Sequence, residues 1–133
     1  MFPYDTREDP ALPIVQLRIT DNSSRLRIPA FDAVVDSGAD RSCLPGSILK
    51  GLGPLSYGKV LVRYVGDAMR ENRDTVRILD ATVDLLDRRG ALRLTKKCEN
   101  LVLIVHEEGI LGRDILNRLL CELDGPRLRC RIR

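Results

Sequence analysis

Two short segments of this sequence hold residues whose types and spacing could do chemistry together. The first is Asp36-Ser37-Gly38-Ala39-Asp40, reached through the apolar pair Val34-Val35; the second is Ile110-Leu111-Gly112-Arg113-Asp114. An apolar strand that ends abruptly on an acid would deliver a carboxylate to a dry place. The small residues after it leave room for a second stretch of backbone. A carboxylate held that way is a candidate general acid or base. Alone, Asp-Ser-Gly is a common turn tripeptide, and an ordinary β-turn would explain it. The apolar run before it, Ala39 and Asp40 after it, and the second segment toward the C-terminus give it more weight.

Other chemistries find little support. The four cysteines, Cys43, Cys98, Cys121 and Cys130, show no CxxC spacing, and His106 is the single histidine, so no zinc site is expected. No other metal or cofactor is expected either. The cysteines read as buried small hydrophobes in a reducing compartment, here taken as the cytoplasm, with disulfides as the alternative. His106, beside Glu107 and Glu108, reads as a surface residue. The net charge of +3 comes mostly from arginine and does not by itself indicate nucleic acid; with aromatics at 4%, stacking platforms for bases are lacking. The tail alternates Arg127, Arg129, Arg131 and Arg133 with other residues. It reads as an exposed strand face, with an acidic partner as the other possibility. Residues 1–10 are polar and charged without the apolar stretch of a signal peptide, and Leu101–Val105 is too short to cross a bilayer, so no membrane partner is expected.

The elements that would position the two segments are mainly strands. At 133 residues with 44% hydrophobic content, the chain reads as one domain with a core of Val, Ile and Leu. Residues 1–12 are polar and punctuated by proline, and read as an N-terminal arm before a domain over 13–133. Val15, Leu17 and Ile19 alternate with polar neighbours, as do Leu26, Ile28 and Ala30 after the turn cluster Asp21–Ser24. Phe31–Asp36 turns apolar, as a strand buried on both faces would. Ser47–Leu52 suggests a brief helical turn.

Val60, Val62 and Tyr64 alternate again. The pattern from Val76 to Leu85 changes phase at Ile78-Leu79, which a bulge or sharp bend in one strand would explain. Asp87–Gly90 suggests a hairpin turn, followed by one strand at Leu92 and Leu94 and another over Leu101–Val105. Arg113–Leu120 has helical spacing, and Asp124-Gly125 is a turn before a last strand. About eight or more strands and one helix imply an all-β, partly closed barrel or sandwich-like domain.

The two segments resemble the signature segments of the retropepsins, the aspartic proteases of retroviruses and related elements. The resemblance runs from Asp36–Asp40 and Ile110–Asp114 on through Ile115-Leu116 and into Cys121-Glu122-Leu123, the helix and last strand of that family, and spans the rest of the domain loosely. It implies the retropepsin-like acid protease half-barrel with one short C-terminal helix. It also implies hydrolysis of peptide bonds, by water held between two aspartates. Only Asp36 has the required setting, because Asp32, Asp40 and Asp114 lack a following Ser/Thr-Gly. The second carboxylate must then be Asp36 of another copy, in a twofold homodimer acting on an extended peptide.

The same resemblance gives the neighbours their roles. Ser37 would hydrogen-bond across the dyad, Gly38 would let the backbone approach the substrate, and Ala39 would belong to the active-site support. Asp40 and Arg113 would form an ion pair pinning the active-site loop to the helix. Ile110 would line the substrate pocket, with a plain core position as the alternative. A hairpin flap is expected over Val60–Val76 with its tip near Gly66-Asp67, although its tip lacks the usual glycine-rich pattern and Ala68–Asp74 is long and charged. Retroviral enzymes dimerise through interleaved terminal strands, and the longer, more basic termini here do not carry that arrangement over. A dimerisation or peptide-binding module of the same fold with little proteolysis is the competing expectation.

Overall fold

The computed structural model describes residues 1–50, 56–63 and 70–133. Its strands are β1 (Phe2–Asp5), β2 (Leu12–Asp21), β3 (Leu26–Val35), β4 (Cys43–Pro45), β5 (Ser56–Arg63), β6 (Arg70–Leu86), β7 (Leu92–His106), β8 (Gly109–Leu111), β9 (Cys121–Asp124) and β10 (Arg129–Ile132). One 3-10 turn covers Gly46–Leu49, and one short helix, α1, covers Arg113–Leu116. The strands follow the order β5-β6-β7-β4-β8-β3-β2-β1-β10-β9, and an additional β6–β2 pairing curls the sheet back on itself. The fold is therefore the expected all-β, partly closed barrel.

Its core is aliphatic. Leu17, Ile19, Ile28, Leu44, Val76, Leu85, Leu103, Leu111 and Ile115 are fully enclosed, each such side chain stabilising the fold by about 1.5–3 kcal/mol relative to exposure. The alternation of Val15, Leu17 and Ile19 places all three inward from β2. Buried charge is paired: Asp84 accepts bonds from Arg18 Nη2 at 2.8 Å and from the Thr95 hydroxyl at 2.8 Å. The turn at Asp87–Ala91 is closed by Asp87 Oδ1, which accepts from the Arg89 and Ala91 amides, and Gly90 there has φ +80°.

Several elements differ from the sequence reading. The expected arm over residues 1–12 is built into the sheet. Phe2 pairs with Cys130 and Tyr4 with Pro13, and Phe2, Tyr4 and Asp5 are buried. The two strands expected across Leu26–Asp36 are one, β3. It carries an extra residue against β2, because Leu17 faces Phe31 whereas Ile19 faces Ile28. Pro29 falls inside this irregularity, where a missing N–H does least harm. Past it, Phe31, Ala33 and Val35 are buried while Asp32 is exposed, so β3 alternates and is not buried on both faces.

The strands expected at Leu92–Leu94 and Leu101–Val105 are likewise one, β7. The phase change at Ile78-Leu79 is real, but no bulge causes it. Ile78 is buried, Leu79 and Asp80 are exposed, and Ala81 is buried. On β7, Cys98 is buried, Glu99 and Asn100 are exposed, and Leu101 is buried, while the ladder runs on unshifted from Ile78↔Leu101 to Asp80↔Glu99. Both strands bend together, with Asn100 at φ +53°, a conformation asparagine tolerates better than most residues. The helix is shorter than the eight-residue stretch expected. The backbone of Leu120 is taken by Arg133, donating to its carbonyl at 2.6 Å and accepting from its amide at 2.9 Å, so the chain has already turned into the β9–β10 ladder.

Candidate active site

The two signature segments meet because β3 and β8 lie side by side and parallel, with Val35 opposite Leu111. Each strand then runs out at the same level. Asp36 N–H donates to Leu111 O at 3.0 Å, fixing the point at which the acid leaves the sheet. The chain turns there. Ala39 N–H donates to Asp36 O at 3.2 Å, and Gly38 N–H donates to the Asp36 carboxylate (Oδ1) at 2.8 Å. A Cβ on Gly38 would stand 3.1 Å from that same oxygen and crowd it.

The second segment braces this turn through backbone. Arg113 N–H donates to Ala39 O at 2.8 Å, and Asp114 N–H donates to Asp40 O at 3.2 Å. Gly112 passes so close to the first segment that a Cβ there would come within 2.7 Å of the Arg41 carbonyl carbon and oxygen, which are backbone atoms with no room to move. The Asp40–Arg113 ion pair is present, between Asp40 Oδ1 and Arg113 Nη2. Asp40 is 83% exposed and Arg113 47%. Exposed pairs of this kind contribute only about 0.2–1 kcal/mol, so the backbone bonds between the segments matter more for holding the loop.

Two residues to which the sequence reading assigned no role, Ser42 and Asp114, do the internal fastening. Ser42, wholly buried, accepts from Gly112 N–H at 2.9 Å and donates its hydroxyl to Asp114 Oδ1 at 2.7 Å. Asp114 Oδ2 accepts from Ser42 N–H at 2.9 Å, and Oδ1 also accepts from Ile115 N–H at 2.9 Å. A serine leading into the buried run Cys43-Leu44 and an acid straight after Gly112-Arg113 were the available signals. Cys43, next in line, is no nucleophile at neutral pH, because burial pushes its thiol up to about 11.

The remaining expected site residues divide as follows. Asp36 is exposed in the single chain, which corrects the expectation of a dry carboxylate; the apolar run before it lines the core, and the acid itself emerges beyond the strand end. Ser37 is also exposed, and its hydroxyl bonds to no group of this chain among the described residues. Ala39 is half-buried beneath the second segment. Ile110 is half-buried in β8, between Val34 and Cys43 in the ladder. Gly66 and Asp67, the expected flap tip, lie outside the described residues. Among the described residues, no group of three or more His, Cys, Asp or Glu side chains is placed to hold a metal ion.

A family model described as retroviral aspartyl protease matches residues 10–124. Among solved structures, EIAV protease complexed with the inhibitor HBY-793 is similar at 19% identity, covering 80% of this chain and 86% of that one, with a TM-score of 0.44. Comparison with curated proteins gave no match. The match spans both signature segments and most of the barrel between them, and the chain belongs to the retroviral aspartyl protease family.

Proposed function

We propose that this protein is an aspartic endopeptidase, acting in the cytoplasm as a twofold homodimer in which Asp36 of each copy supplies one of two facing carboxyls. One observation carries the reading. The loop around Asp36 is fixed by backbone bonds to Leu111, Arg113 and Asp114, yet among the described residues the carboxylate accepts one bond, from Gly38 N–H. A rigidly presented, exposed acid with spare acceptor capacity suits a role toward something outside the chain.

The mechanism follows from placing two such acids together. Two carboxyls at contact distance share one proton, because like charges side by side repel. The ionised member takes a proton from a water held between them, and the water oxygen attacks the carbonyl carbon of an extended peptide. The protonated member hydrogen-bonds the carbonyl oxygen as charge gathers there. When the C–N bond breaks, the proton taken from water passes to the leaving amine. Ser37, whose hydroxyl meets no partner among the described residues, would bond across the dyad. Ile110 and the Gly66-Asp67 tip are the proposed contacts with substrate, and Asp40 with Arg113 supports the loop.

Peptide-library cleavage by wild type beside Asp36→Asn tests this reading. The expected result is cleavage by wild type at mildly acidic pH, inhibited by a pepstatin-type compound, and none by a folded Asp36→Asn variant. Equal cleavage by the two proteins would remove Asp36 from the chemistry. A folded wild type that binds peptides and cuts none would identify a binding module instead.

A further inference from the structure

The outer face of β10 carries a row of arginines that the proposed mechanism does not use. Residues along this strand alternate. Cys130 and Ile132 are buried, whereas the side chains of Arg129 and Arg131 are 35% and 46% exposed. Arg127, in the turn before β10, and Arg133, just after it, extend the row, and both are exposed. The neighbouring strand β9 sets acids opposite them: Arg129 faces Asp124, and Arg131 faces Glu122. Glu122, Asp124, Arg127, Arg129 and Arg131, with Met1 beside them, line a groove of about 210 Å³.

The way these charges pair adds a second observation. Asp124 is shared by Arg127 at 3.8 Å and Arg129 at 3.6 Å, and Glu122 by Arg131 at 3.6 Å and Arg133 at 4.0 Å. None of these guanidinium–carboxylate contacts is short enough to be a hydrogen bond. Elsewhere arginines hold their acids closely, with Arg7 and Asp5 at 2.6 Å, Arg18 and Asp84 at 2.8 Å, and Arg93 and Asp87 at 2.9 Å. On the β10 face, four arginines divide two carboxylates. The patch keeps an excess of positive charge, and its guanidinium groups retain donor capacity.

We propose that this face binds an extended stretch of acidic polypeptide, lying along β10 with acidic side chains at alternate positions. Residues i and i+2 of a strand lie about 6.5–7 Å apart, and an extended ligand repeats at the same spacing, so successive carboxylates meet successive arginines. A guanidinium takes a carboxylate through two parallel N–H···O bonds, which the long contacts inside the patch do not form. Glu122 and Asp124 each keep one arginine, and the other two receive two incoming acids, so the charges balance. The groove is lined by no aromatic side chain on which a base would stack, which favours a polypeptide over a nucleic acid. The inference does not depend on Asp36, because one chain supplies the whole patch.

Fluorescence anisotropy of a labelled peptide of alternating Glu and Thr, titrated with the full chain, tests this. Wild type is expected to bind saturably and to lose affinity as salt rises. The double substitution Arg129→Gln with Arg131→Gln is expected to keep its circular dichroism, since both side chains project outward, and to weaken binding roughly ten-fold or more. Arg27→Gln with Arg89→Gln removes the same charge from exposed positions elsewhere and is expected to bind like wild type. Glu122→Gln with Asp124→Asn is expected to tighten binding several-fold by releasing the arginines. Asparagine still accepts the Arg127 N–H that Asp124 Oδ1 accepts at 3.3 Å, so this pair reads the patch even where the arginine pair fails to fold. Absence of saturable binding by wild type would overturn the proposal. So would equal losses in the two arginine pairs, which would mean that net charge alone attracts the peptide. Tighter binding of a single-stranded oligothymidylate of equal charge, lost on substitution of Arg129 and Arg131, would assign the face to nucleic acid instead.

Discussion

Asp36 and Asp114 each lie just past the end of one of two paired β-strands, yet the structure uses them in opposite ways. Asp114 accepts three hydrogen bonds, from the Ser42 amide, the Ser42 hydroxyl and the Ile115 amide, and so ties the two signature segments together. Among the described residues Asp36 accepts one, from Gly38 N–H, and it stands exposed. A carboxylate has capacity for about four such bonds. One acid spends its capacity on architecture, and the other holds most of its capacity in reserve. The first kind of residue sets where the loop sits. The second kind is available to water, to substrate or to another chain.

This contrast breaks or sharpens under substitution, and the largest effect is expected at Asp36. Asp36→Asn should lower cleavage by roughly 10³-fold or more, with little change in unfolding midpoint, as measured by peptide cleavage and urea denaturation side by side. Asp114→Ala should show the inverse emphasis. It strands the buried Ser42 amide and hydroxyl and the Ile115 amide, and should cost about 2–4 kcal/mol in urea denaturation. Equal destabilisation by the two substitutions would erase the distinction.

Asp5 belongs with Asp114 among the fully engaged acids. Hydrogen bonds from Arg7 hold its carboxyl well below the usual carboxylate range. A folded-state pKa below the unfolded one gives stability that is complete above the unfolded value of about 4 and fades as pH falls toward the folded one. Wild type should therefore be more stable than Asp5→Asn at neutral pH, and the gap should narrow below about pH 4 in thermal melts. The smallest effect is expected at the exposed Asp40–Arg113 pair. Arg113→Ala should cost no more than about 1 kcal/mol, and less in high salt. A larger loss would mean that the pair, and not the backbone bonds beneath it, fixes the loop.

Much of this arrangement was legible in the sequence, because its signals are local. The alternation of Val15, Leu17 and Ile19, the turn at Asp87–Gly90 and the two signature segments each depend on neighbouring residues. β1 was not legible. Four residues with a proline among them give no periodicity, and their burial comes from pairing Phe2 with Cys130 at the far end of the chain. The phase change at Ile78-Leu79 announced a bend, but only the ladder shows that β7 bends with it. The dryness expected of Asp36 failed for a related reason: the apolar run before it describes the strand, and the acid lies just past its end. The fastening role of Ser42 and Asp114 was not legible, because a serine and an acid 72 residues apart show no shared pattern until the fold brings them to 2.7 Å.

The central claim is that the working site takes one Asp36 from each of two copies, and mixing tests it most directly. Wild type and Asp36→Asn would be combined at fixed total concentration, allowed to exchange subunits, and assayed for peptide cleavage. If activity needs two intact copies, an equal mixture retains about a quarter of wild-type activity, since only that share of randomly assorted pairs has both acids. Retention of about half, in simple proportion to the wild-type chains present, would mean that each chain cuts alone and would contradict the account.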